Sequence, residues 1–111
     1  MMHILSTHPE IQEKLRQEIY EVLGDKEEPS YDEIIGMEYL DMCINEVLRL
    51  YPPATRLERI CTKDWEWNGI KIDKGTIVGV PTYALQHDPE YWENPEIFNP
   101  ERYWRMKTFL Y

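Results

Sequence analysis

Residues 46–53 read Glu-Val-Leu-Arg-Leu-Tyr-Pro-Pro, and this stretch decides how the rest of the chain is interpreted. Glu46 and Arg49 are three positions apart, so on a helix they share one face and can form an ion pair. The spacing alone is typical of an ordinary exposed pair, which contributes less than about 1 kcal/mol. Pro52 and Pro53 end the helix, because proline disfavours helical geometry in the residue before it.

Three helices are predicted on the N-terminal side of these prolines. Apolar residues recur at helical spacing over residues 9–23 and again over 38–50. Gly24 ends the first of these helices, and between the two Ser30 and Glu33 form a capping box that starts a short helix. The apolar stripe of the last helix consists of Leu40, Cys43, Ile44, Val47 and Leu48.

After the prolines the apolar period changes to two. Residues 65–67 and 70–72 flank Asn68-Gly69, which predicts a hairpin with a two-residue turn. Residues 76–80 predict a further strand, and from Tyr83 onward repeated prolines divide the chain into short helical or irregular pieces. The prediction is an α+β fold with three helices, a small antiparallel sheet and an irregular meander, within a single domain over residues 1–111.

Composition excludes several classes of function. The chain has 21 acidic and 12 basic residues and a net charge of -9, so we expect no nucleic acid partner, which would require a basic surface. Cys43 and Cys61 form neither a C-x-x-C motif nor a zinc pattern, so no metal site is predicted. Apolar runs are too short to span a bilayer, so the sequence as written is expected to be soluble, with no membrane anchor or targeting segment.

Four motifs taken together resemble the cytochrome P450 family of haem-thiolate monooxygenases. They are the Glu-x-x-Arg helix with its Pro-Pro exit, Arg-Leu-Glu-Arg at 56–59, Asp-Pro-Glu-Tyr-Trp at 88–92 and Phe-Asn-Pro-Glu-Arg-Tyr at 98–103. They occur in the family's order, as does the hairpin that ends at Lys74-Gly75. Two stretches, residues 56–59 and Tyr-Ala-Leu at 83–85, are most similar to the microsomal branch, which includes the 3A subfamily. The resemblance covers residues 5–103, leaves 104–111 as a divergent tail, and implies part of a mainly α parent fold.

The resemblance also implies roles for particular residues. Glu46, Arg49 and Arg102 would form a buried structural network, with no catalytic acid or base among them. Arg59 would bind a haem propionate, since a permanently charged planar donor suits a carboxylate. The alternative for Arg59 is a strand-edge ion pair with Glu58 or Asp64.

The loop that contains Ala54, Thr55 and Leu57 matches a segment that shapes the substrate pocket above the haem. Its alternative is a plain connection between a helix and a strand. Gln86 stands where relatives of this branch usually have histidine, and His87 is shifted by one place, so no role is assigned there.

By resemblance, the parent enzyme binds haem iron and inserts one oxygen atom of O2 into an apolar small molecule. A reductase that uses NADPH supplies the electrons, and the parent lies in the endoplasmic reticulum membrane. The cysteine that ligates the iron is expected beyond the Pro-Glu-Arg-Tyr segment, and neither Cys43 nor Cys61 has its context. We therefore expect the fragment to be inactive and not to bind haem stably. The alternatives are a truncated interaction or regulatory module and an unrelated small acidic domain.

Overall fold

The computed structural model describes residues 1–26 and 28–107, with side chains described as far as Trp104. Two compact units are present, and each is described separately. The first contains residues 1–49 and the segment that begins at Ile97, and the second contains residues 50–96. In chain order the elements are α1 (Met2–Thr7), α2 (Pro9–Leu23), α3 (Tyr31–Ile35), α4 (Glu38–Leu50), β1 (Leu57–Ile60), β2 (Trp65–Trp67), β3 (Ile70–Ile72), β4 (Ile77–Val80), α5 (Thr82–Gln86) and α6 (Arg102–Lys107).

The three predicted helices are confirmed as α2, α3 and α4, and their end signals act as expected. At the start of α3, the Ser30 hydroxyl accepts a hydrogen bond from the Glu33 backbone N–H, and the Glu33 carboxylate accepts one from the Ser30 backbone N–H. Hydrogen bonds from Lys26 and Ser30 lower the pKa of Glu33 to about 2. The short helix α1 was not predicted, and it buries Ile4 and Leu5.

The core of the first unit is built around α2 and α4. Leu5, Leu15, Tyr39, Met42 and Cys43 form its buried cluster. The apolar stripe predicted for α4 is only partly buried, because Ile44 and Leu48 remain exposed on this unit. The most deeply buried face of α4 instead carries Met42, Cys43, Glu46 and Arg49. Glu46 and Arg49, a charged pair, thus lie on the buried face of α4. The apolar pattern alone would assign that face to hydrophobic side chains.

The second unit contains two small antiparallel sheets, where one was predicted. The strands β2 and β3 form the expected hairpin, in which Trp65 lies opposite Ile72. Asn68 and Gly69 form its turn with φ values of 49° and 77°, a left-handed geometry that asparagine and glycine adopt readily. The strand β1 pairs with β4, with Leu57 opposite Val80, so the hairpin is an insertion between two paired strands.

Candidate functional site

Glu46 and Arg49 lie on the buried face of α4 and are held to each other by two hydrogen bonds. The Arg49 Nε donates to Glu46 Oε2 at 2.8 Å, and its Nη2 donates to Glu46 Oε1 at 3.0 Å. Glu46 is 0% exposed and Arg49 is 1% exposed. Glu46 and Arg49 therefore form a buried ion pair, and not the exposed pair that their spacing alone suggests.

Arg102, at the start of α6, completes this group from the far end of the sequence. Its Nε donates to Glu46 Oε1 at 2.9 Å, and the same oxygen accepts the Asn99 backbone N–H at 3.0 Å. The Ile97 carbonyl accepts a bond from Arg102 Nη2 at 3.2 Å and one from Arg49 Nη2 at 3.5 Å. The structure brings together all three residues that the resemblance groups, across a sequence separation of 56 positions. We call Glu46, Arg49 and Arg102 the buried triad.

The electrostatics of the buried triad favour an ionised carboxylate. Burial raises the pKa of Glu46, but hydrogen bonds from Arg49, Asn99 and Arg102 outweigh burial and leave the pKa below its ordinary value. Two guanidinium groups surround one carboxylate, so the carboxylate stays charged near neutral pH and is poorly suited to donate a proton. The arrangement is suited to joining α4 to the segment that leads into α6.

Arg59 lies on β1, and its guanidinium is available to a ligand. Its Nη1 donates to the Glu58 carbonyl oxygen at 2.8 Å. The Glu58 carboxylate pairs with Arg56 at 2.5 Å, and Asp64 accepts the Lys74 backbone N–H at 2.8 Å. Among the residues that the structure describes, no carboxylate pairs with Arg59, so neither ion pair of the alternative interpretation forms. This donor fits a haem propionate, whose carboxylate would pair with it.

The segment that leads into β1 is exposed and contains Ala54 and Thr55. Leu57, also exposed, is the first residue of β1. The Thr55 carbonyl accepts the Tyr83 backbone N–H at 3.1 Å, which ties this segment to the start of α5. Because side chains alternate along a strand, Leu57 and Arg59 point to the same face of β1. One sheet face therefore presents an apolar side chain beside a cation.

Glu18 has a role that sequence reasoning missed. Its carboxylate accepts the backbone N–H groups of Tyr39 at 2.7 Å and Leu40 at 2.9 Å, both in the first turn of α4. The residue before α4 is Met37, whose side chain has no oxygen to accept these bonds. The sequence signal available was the absence of a capping side chain just before α4. That absence does not indicate which distant carboxylate accepts the bonds from the first turn.

The two cysteines lie in different environments. Burial raises the pKa of the Cys43 thiol to about 11, and the Cys61 thiol donates to the Lys63 carbonyl oxygen at 2.9 Å. Within residues 1–26 and 28–107, no group of three or more metal-binding side chains is assembled. No helix in that part of the chain is long and apolar enough to cross a membrane.

The sequence model of the family described as Cytochrome P450 matches residues 1–109. That match covers nearly the whole chain, and it agrees with a fold in which a Glu-x-x-Arg helix is joined to a second arginine. The chain belongs to the cytochrome P450 family, whose members are haem-thiolate monooxygenases that bind haem iron.

The similar proteins belong to the 3A group of this family. Cytochrome P450 3A11 of Mus musculus is 58% identical over 102 residues, covering 92% of this chain and 20% of that protein. Cytochrome P450 3A5 of Homo sapiens is 56% identical over 109 residues, covering 98% of this chain and 22% of that protein. The chain is thus 3A-like, and it spans about a fifth of the length of the curated relatives it matches.

Proposed function

We propose that this chain supplies the structural brace and part of the haem and substrate environment of a haem-thiolate monooxygenase. Such an enzyme would insert one oxygen atom from O2 into an apolar small molecule. The observation that carries the proposal is the buried triad, because a fully buried carboxylate is costly unless it is paired. Here one of its two arginine partners comes from 56 positions away in the sequence, so the pairing joins two segments. Family membership adds independent support.

Each group of residues has a separate part in this proposal. The buried triad would hold the segment from Ile97 to Arg102 against α4. Arg59 would bind a haem propionate and orient the cofactor, which when bound supplies the activation of O2. Leu57, on the same strand face as Arg59, would form part of an apolar wall beside the cofactor, together with Ala54 and Thr55. None of these side chains would exchange a proton with substrate.

The proposed partners follow from the same assignment. A reductase that uses NADPH would deliver electrons, and the parent protein would lie at the endoplasmic reticulum membrane. We further propose that residues 1–111 form part of one cytochrome P450 domain, with 104–111 as a divergent tail.

The test is a chimera in which this chain replaces the matching segment of human cytochrome P450 3A5, which is 56% identical to it. The chimera should bind haem and give a reduced-CO band of the thiolate type. Arg59→Ala should speed the transfer of haem to apomyoglobin about tenfold or more, because a charge-assisted bond contributes about 1.5–3 kcal/mol. Arg56→Ala is the matched control, since Arg56 is also exposed but pairs with Glu58.

Two results would contradict the proposal. A chimera that folds but does not bind haem would show that this chain does not support the proposed haem-binding role. Equal rates of haem loss in the Arg59 and Arg56 variants would remove the propionate role from Arg59 and leave only a surface cation.

A further inference from the structure

Asn99 uses three of its polar groups to join the buried triad to the start of α6. Its backbone N–H donates to Glu46 Oε1 at 3.0 Å. Its carbonyl oxygen accepts the Arg102 backbone N–H at 3.3 Å. Its side-chain Oδ1 accepts the Glu101 backbone N–H at 3.1 Å. One residue therefore contacts the carboxylate of the triad and also closes the turn that presents Arg102.

The residue type matters because of the proline that follows it. Pro100 has no backbone N–H, so the first amide after Asn99 that can reach its side chain belongs to Glu101. Asparagine accepts that bond through a short side chain, whereas a leucine of similar size cannot. Asn99 is exposed while Pro100 is buried, so burial of apolar surface does not explain the asparagine side chain.

Arg102 depends on this turn for its position. Its guanidinium reaches both Glu46 Oε1 and the Ile97 carbonyl. Those two bonds require the backbone at residues 99–102 to hold one conformation, and the Oδ1 bond restricts the residues between Asn99 and Arg102. Loss of that bond would loosen the turn and so weaken the bond from the Arg102 backbone N–H to the Asn99 carbonyl. The bond from the Asn99 backbone N–H to Glu46 would remain.

We propose that Asn99 is a positioning residue that holds Arg102 against Glu46 through its Oδ1 bond to Glu101. The proposal deepens the proposed function and rests on it for its consequence, since the triad is the brace that Asn99 would support. The local effect on the turn does not depend on haem and can be measured separately.

The first measurement is amide hydrogen exchange in the chimera over residues 97–104, comparing Asn99→Leu with Asn99→Asp. Leucine removes the acceptor and should raise exchange at Glu101 and Arg102 about five- to tenfold, the effect of losing one hydrogen bond. Aspartate keeps the acceptor and should restore exchange to within about twofold of the parent. Unchanged exchange in Asn99→Leu, or no rescue by aspartate, would overturn the proposal.

The second measurement asks whether Asn99 acts through Arg102. Asn99→Leu should speed haem loss about fivefold, the effect of one hydrogen bond. It should add little in an Arg102→Lys background, because a single ammonium group lacks the paired donors that reach Glu46 and the Ile97 carbonyl. An equal effect in both backgrounds would indicate general destabilisation and would overturn the positioning role. If Arg102→Lys alone leaves haem retention unchanged, the proposed brace fails, while the exchange measurement still decides the role of Asn99.

Discussion

Glu46 loses its hydration on burial, a cost of several kcal/mol for a carboxylate. It regains four hydrogen bonds, two from Arg49, one from Arg102 and one from the Asn99 backbone. Deleting one arginine would leave the charge buried and undercompensated, which is worse than never burying it. The chemistry of single residues therefore makes the buried triad sensitive to truncation of any member.

Arg49→Ala should lower the free energy of unfolding of the chimera by about 3–5 kcal/mol, the cost of an uncompensated buried charge. The matched control is Arg16→Ala, because Arg16 pairs with Glu13 at the same three-residue spacing but on an exposed face of α2. That change should cost less than about 1 kcal/mol. Urea unfolding followed by circular dichroism measures both, and similar losses would show that burial does not distinguish the pairs.

The lowered pKa of Glu46 predicts a specific acid sensitivity. The ordinary pKa is 4.5 and the folded value lies below it, so the unfolded chain binds the proton more readily. The contribution of Glu46 to stability is then complete above about pH 4.5 and is lost as the pH falls through the folded pKa. Urea midpoints of the chimera between pH 7 and pH 3 should show this loss. Glu46→Gln should flatten the decline, and an unchanged slope would contradict the prediction.

At the scale of elements, α4 starts on a carboxylate supplied by another helix. Glu18→Ala should speed amide exchange at Tyr39 and Leu40 about two- to thirtyfold, because a lost cap costs about 0.5–2 kcal/mol. Glu21→Ala is the control, since Glu21 lies on the same helix but accepts a bond from Gln17. Equal exchange in the two variants would mean that α4 holds its first turn without Glu18.

Elements with strong local signals were predictable from the sequence. Pro9 and Gly24 bound α2, Ser30 starts α3, and Asn68-Gly69 forms the hairpin turn. Each of these signals acts on the backbone within its own segment. Local signals could not predict that the strands form two sheets instead of one. The pairing of β1 with β4 joins residues that are 17 or more positions apart.

The site was predictable only in part. The motif pattern indicated Glu46, Arg49 and Arg102. Neither the bond from the Asn99 backbone N–H to Glu46 nor the Glu18 cap has a pattern within its own segment. The buried face of α4 also differs from the apolar stripe that the sequence predicts. Glu46 and Arg49 lie on the most buried face, whereas Ile44 and Leu48 are exposed. Side chains whose partners come from distant segments are therefore the ones that local periodicity misses.

At the scale of the whole molecule, much apolar surface is uncovered within the described residues. All four residues of β1 and of β4 are exposed, and both sheets have only two strands. Sheets of two strands are marginal without further packing. A chain that spans about a fifth of its relatives' length is consistent with such surfaces, and the chimera is for this reason the setting in which the triad is best measured.

The chain on its own should not form a thiolate-ligated haem. Cys43 is enclosed in the core with its thiol pKa raised to about 11, so its thiolate is rare at neutral pH. Cys61 is more accessible, but its thiol already donates to Lys63. Purified chain mixed with haemin, reduced and exposed to CO should therefore lack a thiolate-type band, and Cys43→Ser and Cys61→Ser should leave the spectrum unchanged. A band that is lost on Cys61→Ser would show that Cys61 ligates the iron, and the assignment of this segment to a supporting role would then be wrong.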